Sequence, residues 1–215
     1  MMLAAFVLAQ EIAQCAPAVG SRTMAAIVAV ESGGDPLAIG DNTMGRSFHV
    51  RDRIDAESLS LRLIQAGHSV DFGLMQINDA NLGPLGLSVR SVFDPCVNLR
   101  AGETILRESY VRATQMFGTG QRALRAALSA YNTGRFDAGH AYVRRVLLAA
   151  GVVAAERRVG PAPYVGRHVI LRIPKAGRDT GTTSRRRRSF TNRSQTPNGA
   201  PIVILGRPLF SGGLF

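Results

Sequence analysis

The apolar positions in the first 150 residues recur at intervals of three and four, which is the spacing of an amphipathic helix. This pattern predicts a mostly helical chain, and several of the predicted helices have a recognisable start or end. Ser21 is a candidate N-cap, Asp94-Pro95 places a proline at a first helical position, and Gly33 and Gly67 are stop signals. The predicted helices span residues 3–15, 21 to about 33, 56–66, 95–117, 121–131 and 138–150.

The segment between the second and third predicted helices lacks a helical pattern. Asp35-Pro36 and Gly40-Asp41-Asn42 are turn signals, and residues 47–50 are predicted to form a short extended piece. Asp55 is the predicted cap of the third helix. Residues 70–78 are too short and too mixed in character for an assignment. We therefore expect a mostly α domain over residues 1–155.

The composition changes after Gly160, where Pro, Gly, Ser, Thr and Arg dominate and four arginines stand together at 185–188. Such a composition buries too little apolar surface to fold alone. It predicts a basic, largely disordered tail over residues 156–215, in which the apolar residues 202–205 are the one candidate docking segment.

The net charge of +11 is concentrated in that tail. Residues 161–215 carry nine Arg, one Lys and one acidic residue, whereas the rest of the chain is close to neutral. A basic tail favours anionic polymers or an anionic membrane surface. The near-neutral domain has no basic recognition helix, so nucleic-acid binding would rest on the tail alone.

Other sequence features limit the cellular context. No apolar run approaches the roughly 20 residues of a membrane helix, so we expect a soluble chain. Residues 3–9 are apolar, but no Lys or Arg precedes Arg22, so an export signal is not evident and the segment is interpreted as a structural first helix. The four histidines are dispersed and form no metal-binding pattern, so no metal or other cofactor is expected.

The two cysteines, Cys15 and Cys96, allow two interpretations. A disulfide between them would close a loop of about 80 residues and stabilise the fold by about 4 kcal/mol in the chain-entropy model. Two buried free thiols are the alternative. An isolated pair without nearby histidines does not make a structural zinc site.

Glu31 is the candidate catalytic residue. The apolar stripe of the second helix runs through Met24, Ile27 and Val28, and Glu31 is the next position on that face. Burial and the helix C-terminus both disfavour a negative charge, so we expect the pKa of Glu31 to be raised. A carboxylic acid that stays protonated near neutral pH can donate a proton to a glycosidic oxygen. The alternative is an exposed glutamate at a helix end.

Two further segments are suited to an acetamido sugar. Gly73 would permit close approach of a ligand, Met75 would supply an adaptable apolar wall, and Gln76 and Asn78 would offer amide hydrogen bonds. The alternative is a buried turn with a core methionine. At Tyr131-Asn132, the ring would pack inside while the hydroxyl reaches a polar cleft. A core tyrosine before a helix-ending turn is the alternative there.

Residues 30–36, 70–78 and 126–134 together resemble the soluble lytic transglycosylase family, which has a goose-lysozyme-like fold. Residues 14–17 and 94–99 resemble segments of the specialised branch that accompanies type IV secretion and conjugation systems. The resemblance covers about residues 8–150 and does not extend to the tail.

The resemblance implies that Glu31 is the single catalytic acid and then base at the bond between N-acetylmuramic acid and N-acetylglucosamine. Attack by the muramic 6-hydroxyl would give a 1,6-anhydro end. Ser32 would orient the Glu31 carboxyl group, and Cys15 and Cys96 would lie side by side. The implied partners are peptidoglycan glycan strands and type IV secretion components, and the implied location is the periplasm. The residues implied to line the sugar groove are Met75, Gln76, Asn78, Tyr131 and Asn132.

Two other functions remain open at this stage. A hydrolytic muramidase on the same fold would use a second carboxylate to activate water, and the candidates are Asp35, Asp41, Asp71 and Asp79. A non-enzymatic wall-binding module would keep the groove, but such a module has no need of a buried acid at position 31.

Overall fold

The computed structural model describes residues 3–152, which form seven α-helices and a four-stranded antiparallel sheet. The mostly helical fold predicted from the sequence is confirmed for this part of the chain. The predicted tail, residues 156–215, lies outside the described residues. The helices are α1 (Ala5–Cys15), α2 (Ser21–Glu31), α3 (Arg53–Gln65), α4 (Val89–Val92), α5 (Pro95–Phe117), α6 (Gln121–Thr133) and α7 (His140–Ala149). The strands are β1 (Ile39–Asp41), β2 (Arg46–Phe48), β3 (Val70–Phe72) and β4 (Ile77–Asn78).

The helix starts follow from local capping, and two of the predicted caps are wrong. Asp94 caps α5 as predicted, because its side chain accepts a hydrogen bond from the Val97 N–H. Helix α3 begins earlier than predicted, because Asp52 is its N-cap and accepts from the Asp55 N–H. Ser21 is the first residue of α2 and not its cap; the carbonyl of Gly20 accepts the first bonds of that helix.

The sheet has the order β2-β1-β3-β4. The predicted turn at Gly40-Asp41-Asn42 is wrong in part, because Gly40 and Asp41 belong to β1 and the turn follows them. Gly40 pairs with Ser47 of β2 and with Asp71 of β3. Residues 70–78, which are too short for a pattern to assign, form the β3–β4 hairpin.

The core joins the apolar stripes of the helices to one face of the sheet. Helix α2 contributes Met24, Ile27 and Val28, which are fully buried, and α5 contributes Leu99 and Leu106. Within residues 3–152, no helix is both long and apolar enough to cross a membrane.

Helix α1 is tied to α5 by two links. A disulfide joins Cys15 to Cys96, so the disulfide interpretation is confirmed and the free-thiol alternative is wrong. The buried carboxylate of Glu103 accepts hydrogen bonds from the backbone N–H groups of Ala18 and Val19, which follow α1. The segment predicted as a structural first helix is therefore part of the folded domain.

Candidate active site

Glu31 is the last residue of α2, and its side chain is enclosed by the fold. The residue is only 8% exposed, so the alternative of a solvated glutamate at a helix end is wrong. The hydroxyl of Tyr142 donates a hydrogen bond of 2.6 Å to Glu31 Oε1. Tyr142 is itself buried on α7, which packs against α2. The site thus holds one buried carboxyl group oriented by a phenol.

A cavity of about 190 Å³ opens beside Glu31. It lies where the end of α2 meets the sheet and the β3–β4 hairpin. Its polar groups come from α2, β2 and the hairpin, and its apolar groups from α2 and β1. The lining residues are Val30, Glu31, Ser32, Ala38, Ile39, Ser47, His49 and Gln76.

Gln76 reaches this cavity from an uncommon backbone conformation. Its φ of 46° is left-handed, which costs a non-glycine residue on the order of 1–3 kcal/mol and persists only where the surroundings impose it. The Gln76 side chain donates to the carbonyls of Gly73 and Ala38. Gly40 leaves room for it, since a Cβ there would lie 2.7 Å from Gln76 Oε1.

Gly73 lies against the side chain of Asn98. Gly73 is buried with a φ of 69°, and a Cβ there would lie 2.6 Å from Asn98 Nδ2. A Cβ at Gly73 would therefore overlap the protein's own Asn98. Asn98 was missed as a site-building residue. Its amide accepts from the Met75 N–H and donates to the carbonyls of Phe72 and Val92, so it fixes the hairpin on α5.

Met75 and Tyr131 are also structural neighbours of the cavity and not part of its lining. The Met75 side chain is fully buried and packs against Gly102 of α5, where a Cβ would lie 2.5 Å from Met75 Cε. The Tyr131 hydroxyl donates to the Met75 carbonyl over 2.8 Å. Burial raises the pKa of Tyr131 well above its ordinary value, and the charges of Glu31 and Asp71 raise it further. Tyr131 is therefore a neutral hydrogen-bond donor that holds the hairpin.

The remaining predicted residues divide between the cavity and its support. Ser32 lines the cavity, and its hydroxyl donates to the Leu74 carbonyl at 2.9 Å, which joins the end of α2 to the hairpin. Asn78 is buried and donates to Asp71 and Ser69. Asn132 is half-buried at the end of α6. Of the predicted site residues, the structure brings Glu31, Ser32 and Gln76 together in one lining.

Two residues at the site were missed by sequence reasoning. Tyr142 lies on the apolar stripe of α7, and nothing local distinguishes it from a core tyrosine. His49 lines the cavity, and its Nδ1 lies 2.8 Å from Asp35 Oδ2. Burial alone would raise the pKa of Asp35. Hydrogen bonds, among them those with His49 and the Leu37 N–H, outweigh this effect, so the pKa of Asp35 lies below its ordinary value.

Each of the four candidate second carboxylates has a hydrogen-bond partner in the fold. Asp35 contacts His49, and Asp41 contacts His68 Nδ1 at 2.8 Å. Asp71 accepts from two amide side chains, those of Asn42 and Asn78, and Asp79 accepts from the Val70 N–H. Within residues 3–152, Glu31 is the one carboxylate in the lining of this cavity.

The same region of the chain matches known proteins. A family model described as the transglycosylase SLT domain matches residues 9–145. Protein virB1 of Rhizobium radiobacter is 45% identical over 139 residues, which are 64% of this chain and 58% of that protein. Protein virB1 of Agrobacterium fabrum (strain C58) is 42% identical over 139 residues, 64% of this chain and 56% of that protein.

The match to a third relative covers a larger share of both proteins. The type IV secretion system protein virB1 of Brucella suis biovar 1 is 40% identical over 169 residues, which are 74% of this chain and 69% of that protein. The chain thus spans less than two thirds of the Rhizobium and Agrobacterium relatives. No solved structure matches the chain. Because the family model covers the segments that carry Glu31, the hairpin and Tyr131, the chain belongs to the transglycosylase SLT domain family.

Proposed function

We propose that the protein is a peptidoglycan lytic transglycosylase that cleaves the β-1,4 bond between N-acetylmuramic acid and N-acetylglucosamine. The observation that carries the proposal is the buried Glu31 carboxyl group, which lines a cavity and accepts a hydrogen bond from Tyr142. A buried acid in a cleft can deliver a proton to a leaving oxygen. A module that only binds the wall has no need of such a group.

In the proposed reaction, Glu31 gives its proton to the glycosidic oxygen as the bond from the muramic anomeric carbon to that oxygen breaks. The muramic 6-hydroxyl oxygen then bonds to the anomeric carbon and returns its proton to the Glu31 carboxylate. No water is consumed, and Glu31 ends in its starting state. The Tyr142 hydroxyl fixes the orientation of the carboxyl group and stabilises its anionic form between the two steps.

The other cavity residues would bind the sugar. Gln76, Ser47 and His49 present polar groups to the cavity and are suited to hydroxyl and acetamido groups. Asn132, which the family resemblance implies to line the sugar groove, would also contact the glycan strand. Gly73, Met75, Asn78 and Tyr131 would act indirectly, because their packing and hydrogen bonds hold the hairpin that carries Gln76.

The surroundings of Glu31 favour transglycosylation over hydrolysis. An inverting hydrolase needs a second carboxylate across the sugar, with room for a water molecule between the two groups. Asp35, Asp41, Asp71 and Asp79 all have hydrogen-bond partners, and none of the four is in the cavity lining that the described residues form. His49 lines the cavity and contacts Asp35, so this pair is the candidate base that would activate water if the protein were a hydrolase.

The products separate the two reactions. Purified protein is incubated with peptidoglycan, and the fragments are analysed by mass before and after borohydride reduction. Reduction changes the mass of a hydrolysed reducing end and leaves a 1,6-anhydro end unchanged. We expect anhydro ends; a majority of reducible muramic ends would instead support the hydrolytic muramidase.

The proposed setting is the periplasm, at a type IV secretion or conjugation apparatus. The name of the Brucella relative supports the association with type IV secretion, and the Cys15–Cys96 disulfide suits an oxidising compartment. Fractionation of native cells tests the location: we expect the oxidised protein with the periplasmic contents, and recovery of the reduced protein with the cytosol would contradict it.

The basic tail would hold the enzyme on an anionic polymer or membrane surface. Nine Arg and one Lys against one acid in residues 161–215 support this role. Replacing the four arginines at 185–188 by serine should reduce co-sedimentation with cell wall at low salt, and the difference should shrink as salt screens the charges. Equal retention of both proteins at low salt would show that this cluster is not the anchor.

A further inference from the structure

A second, larger cleft of about 600 Å³ lies between α6 and α7, near the end of α5. It has no lining residue in common with the cavity beside Glu31. The function proposed above gives it no role. The cleft is lined by Phe117, Arg122, Arg125, Ala126, Ser129, Phe136, Asp137, His140, Val143, Arg144 and Leu147.

Helix α7 separates the two sites. Tyr142 contacts Glu31, whereas Val143 and Leu147 line the cleft on a different face of the same helix. An occupant of the cleft would therefore contact the helix that orients the catalytic carboxyl group without entering the catalytic cavity.

The cleft combines a cationic rim with an apolar floor. Arg122 and Arg125 are exposed on α6, and His140 and Arg144 are contributed by α7. The single acid, Asp137, makes an ion pair of 3.2 Å with Arg135 outside the lining. On the floor, the rings of Phe117 and Phe136 meet edge to face at 6.0 Å. The Arg122 guanidinium lies 5.0 Å from the centre of the Phe117 ring, so the charge stands directly over the apolar surface.

We propose that this cleft binds an acidic, amphipathic peptide segment of a partner protein. An aliphatic or aromatic side chain would enter the floor beside Phe136 and Val143, and flanking Asp or Glu carboxylates would pair with Arg122 and Arg125. The cleft volume is within the range of about 300–1,000 Å³ that is typical of ligand pockets, which suits a few residues of peptide.

Charge argues against the chain's own tail as the occupant. Residues 161–215 are strongly basic, so they would meet the arginines of the cleft with like charge. A polyanion without apolar groups would contact the arginines but leave the Phe117–Phe136 floor unfilled. This inference does not depend on the activity of Glu31.

The test is a titration of the full-length protein with a fluorescein-labelled peptide in which Leu and Phe lie among Glu and Asp residues. The Arg122→Glu/Arg125→Glu variant should raise the Kd about tenfold or more, because two favourable charge pairs become repulsive. The matched control is Arg62→Glu/Arg90→Glu, which makes the same change in net charge at exposed positions of α3 and α4. We expect that control to bind like the wild type.

Hydrogen exchange locates the bound peptide, and two altered peptides report its chemistry. Protection of residues 117–126 and 136–147, with weak binding of a peptide that has Ser for Leu and Phe, would support the proposal. Equal losses in the two double variants, or equal binding of a peptide with Lys for every acid, would overturn it. Binding of the Ser-containing peptide at full strength would identify a general polyanion site. If the wild type sediments as a dimer and the Arg122→Glu/Arg125→Glu variant does not, the occupant is a second copy. Both results contradict a partner peptide.

Discussion

The catalytic assignment depends on one contact between residues that lie 111 positions apart. Glu31 ends the apolar face of α2, where its carboxyl group loses most of its solvent, and the Tyr142 hydroxyl from α7 contacts Oε1. A hydrogen bond to a charged group contributes about 1.5–3 kcal/mol, which is enough to hold one carboxyl orientation over another. Tyr142 is therefore the residue through which α7 contacts the proposed catalytic group.

Replacement of Tyr142 by Phe should slow glycan cleavage by about tenfold or more, because the ring packing survives while the bond to Glu31 is lost. Initial rates on purified peptidoglycan measure the effect, and thermal unfolding checks the fold. Tyr110→Phe is the matched control, since the Tyr110 hydroxyl accepts from the Gly120 N–H at the far end of α5. If both variants cleave at the wild-type rate, Tyr142 does not orient Glu31.

At the scale of single residues, the sequence predicts those whose position follows from the pattern of their own helix. Glu31 continues an apolar stripe that can be counted along the chain, so its place on the buried face was predictable. Tyr142 was not, because a tyrosine on an apolar stripe is compatible with any core position until its partner is known. Asn98 was not predictable either, because the partners of its three hydrogen bonds lie in α4 and in the β3–β4 hairpin.

At the scale of elements, the β3–β4 hairpin is the unit that presents Gln76 to the cavity. Asn98 of α5 and Tyr131 of α6 fix its backbone, and Ser32, the C-cap of α2, contacts its Leu74 carbonyl. Its turn has two left-handed residues, Gly73 and Gln76. The hairpin is therefore held by three helices and does not depend on its own short strands.

Gly73→Ala should destabilise the protein more than Gly67→Ala does. Both glycines have positive φ, at 69° and 82°, so both substitutions meet backbone strain of about 1–2 kcal/mol. Only at Gly73 would the new Cβ also overlap Asn98, whereas nothing lies within 4 Å at Gly67. Overpacking adds about 1–3 kcal/mol.

Urea unfolding of the two glycine variants measures this difference. Equal losses of unfolding free energy would mean that Asn98 moves aside without cost, and the proposed link between α5 and the hairpin would then be weak.

The elements that the sequence predicts are the long ones. Helices α5 and α6 carry enough apolar positions for their period to be recognised, and Asp94-Pro95 marks the start of α5. Strands of two or three residues contain too few positions for any period. Gly40 and Asp41 have the composition of a turn, yet pairing with β2 and β3 makes them a strand, and that pairing is not encoded in the segment itself.

At the scale of the whole molecule, α1 is held on the domain by covalent and polar links. The Cys15–Cys96 disulfide spans 81 positions, and Glu103 binds the loop that leads from α1 to α2. Because α2 carries Glu31, these links fix the start of the helix that ends at the proposed catalytic residue.

The Cys15→Ser/Cys96→Ser variant should lose about 4 kcal/mol of unfolding free energy relative to the oxidised wild type, because the unfolded chain regains the entropy of a long loop. Denaturant unfolding measures the loss. The reduced wild type serves as the control and should match the variant. An oxidised wild type that is no more stable than either would show that the disulfide does not stabilise the domain.

The central claim is that Glu31 transfers the proton in glycan cleavage, and the Glu31→Gln variant tests it most directly. The amide is nearly isosteric and cannot donate an acidic proton, so cleavage of purified peptidoglycan should fall by a factor of about 10²–10⁴ or more while the unfolding midpoint changes little. Glu108→Gln, at an exposed position of α5, should cleave like the wild type. A Glu31→Gln protein that keeps near-wild-type turnover would contradict the assignment and the function built on it.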